Sequence, residues 1–266
     1  MRILVCIKQV PSASDVKVDP KTGVLQRSAS DSKLNPYDEY ALETAMRIKE
    51  QTAGSVTAIT MGAPFSKDIL KESFGFGVDQ AILLTDIVFA GADVLATSFA
   101  LSEAILAVGT FDLIICGRQT TDGDTAQVGP ALAECLNIPH VSWVNNVLHI
   151  EDSEISVEQD MGSFIADATI KLPCLITVEK GIYRPRLPSY IRKRKFRDHP
   201  ITKLSLSDLA DKDPQRYGLT GSPTQVEKLF PPEISEVALQ FVGNNERVAS
   251  QIFDSLKNLK LLQENL

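Results

Sequence analysis

The chain has 266 residues, of which 44% are hydrophobic and 23% are charged, the composition of an ordinary soluble globular protein. Its formal net charge of −7 argues against a general nucleic-acid binder. The opening apolar run is too short for a signal peptide, and no uncharged run reaches the roughly 18 residues of a membrane span. We therefore expect a cytoplasmic protein without membrane insertion.

The first 142 residues alternate between strand-like and helix-like patterns. "RILVCIK" predicts a strand buried on both faces, and "VKVDPKTGVLQR" predicts a hairpin after it. "NPYDEYALETAMRIKEQ" predicts a helix with Asn35 as its cap and Pro36 at its first position. Three more strands and three more helices follow in turn. This order predicts an α/β fold, a Rossmann-like parallel sheet with flanking helices.

The pattern changes after this parallel unit. "VSWVNNVLHIED", "EISVEQD" and "FIADATIKL" predict antiparallel strands, and "PCLITVEK" predicts one more buried strand. We divide the chain into a nucleotide-binding domain at 1–180, with a parallel unit at 1–142 and an antiparallel extension at 143–180. A basic partner-recognition loop follows at 181–200. Residues 201–266 are expected to form an extended arm that ends in a helix from about Asn245 to Gln263 and packs on a partner subunit.

The loop after the strand Phe111 to Cys116 is the candidate binding site. Ligands bind parallel sheets at the carboxyl ends of strands, near helix N-termini. The loop is neither a Walker loop nor G-x-G-x-x-G, and it carries Asp122 and Asp124 with one base, Arg118. A triphosphate would be repelled, so a monophosphate or pyrophosphate on the backbone N–H groups of Thr125 to Val128 fits better. Alternatively, Asp124 or Thr125 merely caps the next helix.

The sequence contains no recognisable catalytic set. The histidines at 140, 149 and 199 are too scattered for a metal site, and no nucleophile motif occurs. The four cysteines, also scattered, are expected to be reduced thiols. The chain is therefore a binding module or the holder of a cofactor that performs the chemistry.

A dense basic segment stands out in this acidic chain. Eight Lys or Arg residues lie between Lys180 and Arg197. They form either a solvated face or a docking surface for a protein partner. "RPRLPSY" places Leu187 between bases and prolines, which suits an apolar anchor on a stiff loop.

Long motifs in the right order resemble the β subunit of an electron-transfer flavoprotein. They are "RILVCIKQV", "NPYDEYALETAMRIKE", "GRQTTDGDTAQVGP", "VEQDMG" with "IKLPCLITVEKG", and "YRPRLPSYIRKRK". The resemblance covers nearly the whole chain. It implies an adenine-nucleotide-binding α/β domain, an α subunit as partner, and a C-terminal arm that reaches across to that partner.

The resemblance also implies the site residues. The expected cofactor-binding residues lie at strand ends and helix starts: Cys6, Asn35, Pro36, Tyr37, Asp38, Met61, Gly117, Arg118, Gln119, Thr120, Thr121, Asp122, Gly123, Asp124, Thr125, Ala126, Gln127 and Val128. The expected partner-binding residues are Arg184, Arg186 and Leu187, of which Leu187 matches the leucine that grips a dehydrogenase. No metal site is expected.

The loop resembles the electron-bifurcating and nitrogen-fixation-associated branches of the family. Members that hold a structural AMP often carry Asn-Gln-Thr where this chain has Ala126, Gln127 and Val128. The resemblance therefore implies FAD in this subunit, a hydride from NADH, and electrons for ferredoxin and for a dehydrogenase of an acyl-CoA, enoyl-CoA or hydroxy acid. The first alternative is a redox-silent subunit with AMP. The second is a nucleotide-binding stress or sensor protein of related fold.

Overall fold

The structure, a computed structural model, describes residues 1–12, 32–227, 240–259 and 261. The predicted hairpin "VKVDPKTGVLQR" lies outside these residues, as does the predicted helix end at Gln263. The chain divides into two compact units, Met1–Glu227 and Lys228–Leu266.

The helices and strands follow the predicted alternation in the first unit. The strands are β1 (Arg2–Cys6), β2 (Gln9–Pro11), β3 (Ser32–Leu34), β4 (Ser55–Met61), β5 (Gln80–Leu84), β6 (Leu113–Gly117), β7 (His140–Ile150), β8 (Glu154–Asp160), β9 (Ile165–Lys171), β10 (Cys174–Val178) and β11 (Thr202–Leu204). The helices are α1 (Pro36–Thr52), α2 (Lys67–Phe76), α3 (Val94–Val108), α4 (Val128–Cys135), α5 (Tyr190–Lys195) and, in the second unit, α6 (Asn245–Asn258).

In the described part of the chain, nine strands form one sheet in the order β11-β5-β4-β1-β6-β10-β7-β8-β9. From β11 to β7 every neighbouring pair is parallel, and β8 and β9 continue the sheet in antiparallel pairing. The predicted α/β class is confirmed. The short β2 and β3 form a separate antiparallel pair.

The antiparallel extension is less separate than the sequence predicts. β10 lies between β6 and β7 and is parallel to both, so it joins the parallel unit across the expected boundary at 142. β7 has a double role, because it pairs in parallel with β10 and in antiparallel fashion with β8. The alternation of apolar residues in β7 reports which face is buried and does not report the direction of its neighbours.

Both faces of the central strands are buried. Ile3 and Val5 of β1 pack into a core with residues of α1 and α2, whereas Leu4 packs into a second core with residues of α3 and α4. This alternation is the period of two that a strand imposes on its side chains. The two cores hold the sheet between helical layers and fix where the helices begin.

Residues 201–227 belong to the first unit, whereas the sequence assigned them to the arm. β11 pairs in parallel with β5 at the edge of the sheet. Leu209 and Tyr217 are buried in the core on the α3 side, and the Tyr217 hydroxyl donates to the Asp211 carbonyl oxygen at 2.7 Å. Ser222 accepts the Asp93 N–H at 2.8 Å at the start of α3. The arm predicted from residue 201 therefore begins too early.

The second unit contains α6, whose described residues are half-buried or exposed. Val248, Ile252 and Leu256 recur at helical spacing along α6, with Val248 and Leu256 half-buried and Ile252 exposed. Within the described ranges, we find no helix whose length and apolar character would allow it to cross a membrane. The packing of the arm on a partner stays a prediction.

Candidate functional site

The carboxyl ends of β1 and β6 meet at the switch point of the sheet, and this candidate site is called the crevice below. The two strands are parallel neighbours, with Cys6 opposite Cys116, and the chain continues from them to opposite sides of the sheet order. Such a switch point leaves a gap between the loops that follow the two strands, and parallel sheets bind ligands there. The loop Gly117 to Gln127 and the start of α1 form its walls.

Asn35 ties the start of α1 to this loop. Its side-chain amide donates to Asp38 Oδ1 at 2.8 Å and to the Gln119 carbonyl oxygen at 2.9 Å, and its Oδ1 accepts the Thr121 N–H at 3.3 Å. Asn35 occupies the N-cap position, but its side chain makes no cap hydrogen bond, so the predicted capping role is wrong. The fully buried amide serves the loop instead.

Asp38 places a buried carboxylate at the floor of the crevice. It is 4% exposed, and Oδ2 accepts the Lys8 N–H at 2.7 Å. Burial raises the pKa of Asp38 to about 7, against the opposing effect of the hydrogen bonds from Asn35 and Lys8. The side chain can therefore gain or lose a proton near neutral pH.

The two acids of the loop itself, Asp122 and Asp124, have partners in the chain. Lys8 Nζ lies 2.7 Å from Asp122 Oδ1, and Gln119 Nε2 donates to Asp124 Oδ1 at 2.8 Å. The predicted alternative that Asp124 or Thr125 caps α4 is wrong, because Gln127 is the N-cap residue and α4 has no side-chain cap. The acids shape the loop and leave the helix end open.

The backbone before α4 has an unusual conformation. Asp124 and Ala126 have φ values of 49° and 54°, in the left-handed region. The N–H groups of Thr125, Ala126 and Gln127 meet no acceptor among the described residues. Together with the first turn of α4, they offer hydrogen-bond donors to an anion.

Arg118 points away from this donor set. Its Nη1 lies 2.7 Å from Glu179 Oε1, and its guanidinium lies 4.6 Å from the centre of the Trp143 ring. Trp143 itself has a φ of 62° at an irregularity in the pairing of β7 with β10. The base that reaches the acids of the loop is Lys8, which the sequence reading missed. Its position directly after β1 is the signal that could have found it.

Glycines allow the walls to approach one another. A Cβ on Gly117 would lie 2.6 Å from Asp38 Oδ1 and 2.7 Å from the Tyr37 carbonyl carbon. A Cβ on Gly129 would lie 2.4 Å from Thr177 Cγ2. The two glycines therefore let the end of β6 pack closely against α1 and let α4 pack closely against β10.

The structure brings most of the predicted cofactor-binding residues to one edge of the sheet. Pro36 and Tyr37 open α1 beside Gly117, and Thr120 accepts the Asp124 N–H at 2.9 Å. Cys6, Met61 and Val128 share a setting, since all three are partly buried against the same core. Gly123 lies on the exposed rim of the loop. That these residues form one cofactor site stays a prediction.

The predicted partner-binding residues lie elsewhere, beside the middle of α1. Leu187 is 90% exposed and Arg184 is exposed. Arg186 is engaged within the chain, with its Nε 2.7 Å from Glu43 Oε2 and its Nη1 2.6 Å from Glu50 Oε1. This surface, residues 181–189, is called the docking segment below.

Comparison with known proteins gives consistent matches. The profile of the electron transfer flavoprotein domain matches residues 22–209. The chain is 40% identical to the electron transfer flavoprotein subunit beta of Thermoanaerobacterium thermosaccharolyticum, over 97% of this chain and 98% of the relative. It is 39% identical to the caffeyl-CoA reductase-Etf complex subunit CarD of Acetobacterium woodii, over 98% of this chain and 100% of the relative.

A third relative carries a different name. The chain is 37% identical to Protein FixA of Rhizobium meliloti, over 96% of this chain and 90% of the relative. Matches of this identity and length, together with the crevice and the sheet order, set aside the alternative of a stress or sensor protein. The chain belongs to the electron-transfer flavoprotein family, as one of its β subunits.

Proposed function

We propose that this electron-transfer subunit holds FAD in the crevice and accepts a hydride from NADH there. The N–H groups of Thr125, Ala126 and Gln127 would hold the FAD pyrophosphate. The acceptors of the two electrons would be ferredoxin and, through the FAD of an α subunit, a flavin-dependent dehydrogenase. FAD, when bound, supplies hydride acceptance and one-electron transfer, so this chain's own residues bind, orient and shield it.

The observation that carries the proposal is the set of N–H groups before α4 without an acceptor. Thr125, Ala126 and Gln127 contribute these donors, and the helix N-terminus adds its favourable dipole. A pyrophosphate has enough oxygens to accept all of them. Gly123 and Ala126 carry no large side chain at two positions of this loop, which supports a group larger than a single phosphate.

The acids of the loop are compatible with a bound anion because the charge of one is compensated by a base and the other accepts a hydrogen bond from an amide. Lys8 neutralises Asp122 at 2.7 Å, and Gln119 holds Asp124. Asp38 lies below them with a pKa raised by burial to about 7, so its proton can compensate added negative charge. This arrangement explains how a loop with two acids and no lysine of its own can accept a phosphate ligand.

The relatives support the assignment of partners. The name of the Acetobacterium relative joins an Etf to caffeyl-CoA reductase, which favours a dehydrogenase partner that acts on an acyl-CoA or enoyl-CoA over one that acts on a hydroxy acid. An α subunit completes the heterodimer in the proposal. The alternative ligand is AMP, because the same N–H groups suit a monophosphate, and the subunit would then be redox-silent.

The test is a substitution in the loop of the purified heterodimer. Asp124→Arg replaces the side chain that Gln119 holds with a long base, so we expect loss of the bound nucleotide and loss of flavin reduction by NADH in an anaerobic titration. Asp124→Asn tolerates the left-handed backbone and should retain the nucleotide. Asp152→Arg makes the same charge change in the exposed turn between β7 and β8 and serves as the control. Full nucleotide content in Asp124→Arg would contradict the site.

A further inference from the structure

The docking segment presents one apolar side chain to solvent. Leu187 is 90% exposed. Pro185 lies two residues before it and Pro188 directly after it, and the ring of each proline fixes its φ angle. Such an exposed leucine contributes little to the stability of its own chain. It binds a partner more tightly when the backbone that carries it is already ordered, because ordering on binding costs affinity.

The N-terminal side of Leu187 is fastened to α1. Arg186 donates from Nε to Glu43 Oε2 at 2.7 Å, from Nη2 to Glu43 Oε1 at 3.2 Å, and from its backbone N–H to Glu43 Oε2 at 3.1 Å. Glu43 is only 3% exposed. Charge-assisted bonds to a side chain and to the backbone of the same residue fix both its rotamer and its chain direction.

A second arginine supports the same carboxylate. Arg47 Nε donates to Glu43 Oε1 at 3.0 Å, and the Arg47 guanidinium lies 4.3 Å from the centre of the Tyr183 ring. The hydrogen bonds from Arg186 and Arg47 overcome the effect of burial and hold the pKa of Glu43 below its ordinary value. The carboxylate is therefore charged at neutral pH, as this set of bonds requires.

The C-terminal side of Leu187 is fastened to α2. The Ser189 N–H donates to the Gly75 carbonyl oxygen at 2.9 Å, and the Ser189 hydroxyl accepts the Arg192 N–H at 3.3 Å at the start of α5. A Cβ on Gly75 would lie only 3.0 Å from Pro188 Cβ, so the segment rests closely on this turn. Leu187 thus projects between two tethered neighbours.

We infer that Arg186 and Glu43 are positioning residues, which hold the docking segment so that Leu187 is presented as a preorganised anchor for the dehydrogenase. This inference rests on the proposed function, in which the subunit serves a dehydrogenase, and on the expected role of Leu187 as the residue that grips it. It gives Arg186 a role within the chain, whereas the sequence placed it among the partner contacts. Arg184, which is exposed, remains available to the partner.

The first measurement needs no partner. Hydrogen exchange of the Arg186 amide in the heterodimer should accelerate at least about tenfold in Glu43→Gln, because the acceptor of that N–H is weakened. Glu50→Gln is the matched control. It removes one carboxylate charge and one Arg186 contact from the same helix, but Glu50 is exposed and accepts no backbone N–H, so exchange should stay near the wild-type rate. Equal exchange in the two variants would overturn the inference.

The second measurement connects the tether to docking. The probe is an acyl-CoA dehydrogenase that exchanges electrons with the wild-type heterodimer. Glu43→Gln should raise the KM for this dehydrogenase roughly 2- to 10-fold and leave kcat and flavin content unchanged. Combined with Leu187→Ala, it should add no further increase, because the tether acts through that leucine. A lowered kcat or additive effects would contradict the inference.

The two failures can be distinguished. If Leu187→Ala leaves the KM unchanged, the docking role in the proposed function is wrong. If Leu187→Ala raises the KM while Glu43→Gln does not, docking stands and the positioning role is wrong.

Discussion

Asp38 and Glu43 are buried carboxylates little more than one turn apart on α1, and their pKa values shift in opposite directions. Burial raises the pKa of Asp38 to about 7, whereas arginine hydrogen bonds offset the burial of Glu43 and lower its pKa. Their exposures, 4% and 3%, are nearly equal, but Asp38 lies deeper in the fold and Glu43 bonds to two arginines. Depth of burial and partners together decide the direction of each pKa shift.

Asp38 can change its charge by gaining or losing a proton, whereas the negative charge of Glu43 is already neutralised by arginines. Around Asp38 the groups are the Lys8 N–H, the Asn35 amide, Asp122 and the Cys116 thiol, and the Lys8 ammonium is directed to Asp122. Around Glu43 the bonds from two guanidinium groups leave a fixed pair. One helix therefore supplies a titratable wall to the crevice and a rigid support to the docking segment.

The largest expected effect on stability and nucleotide content comes from adding a methyl group where the end of β6 packs against the start of α1. Gly117→Ala places a methyl group 2.6 Å from Asp38 Oδ1 and against the Tyr37 backbone, so we expect about 3 kcal/mol of destabilisation and loss of nucleotide. Gly123→Ala meets only Thr120 Oγ1 at 3.3 Å and is the matched control. Chemical unfolding and nucleotide content measure both. Equal behaviour of the two variants would refute the close-packed wall.

A smaller effect should appear in the pH dependence of stability. Because the folded state raises the pKa of Asp38, its contribution is full below about pH 4 and is lost as the pH rises through about 7. Asp38→Asn removes this loss, so the unfolding free energy of the variant relative to wild type should rise by about 2 kcal/mol between pH 5 and pH 7.

For Asp38 the slope of the unfolding free energy against pH is the quantity to compare. Asparagine also loses an acceptor for the Lys8 or Asn35 donor, which changes the unfolding free energy at every pH but not its slope. Denaturant unfolding at several pH values gives that slope. Parallel pH profiles for wild type and Asp38→Asn would show that the buried carboxyl does not titrate in this range.

The smallest expected effect on stability is at the docking segment. Leu187→Ala removes an exposed side chain, so the unfolding free energy should change by less than about 0.5 kcal/mol and flavin content should not change. Electron delivery to the dehydrogenase should nevertheless slow. Loss of flavin in this variant would mean that Leu187 supports the cofactor site and is not a docking residue.

Much of the fold could be predicted because the signals are local. The alternation from β1 to α4 and the Pro36 start of α1 follow from hydrophobic period and turn chemistry. The insertion of β10 between β6 and β7 could not, because strand order depends on pairing between distant segments. β11 was missed for a related reason, since three residues in a polar stretch give no periodic signal.

The site divides in the same way. Strand-end position placed the loop Gly117 to Val128 at the site, and the resemblance to the family added the Asn35 to Asp38 turn, which the structure brings against that loop. The sequence could not give the direction of side chains after a strand ends. It could not show that Arg118 turns to Glu179, that Asn35 binds the loop in place of capping, or that Lys8 reaches Asp122 from the segment after β1.

The nucleotide content of the heterodimer tests the central claim most directly. The complex would be purified without added cofactor, denatured, and its nucleotides separated and quantified on a calibrated column. We predict two FAD and no AMP per heterodimer, one of the two held by the loop before α4. One FAD with one AMP would contradict the account and would make this subunit a redox-silent partner in simple electron transfer.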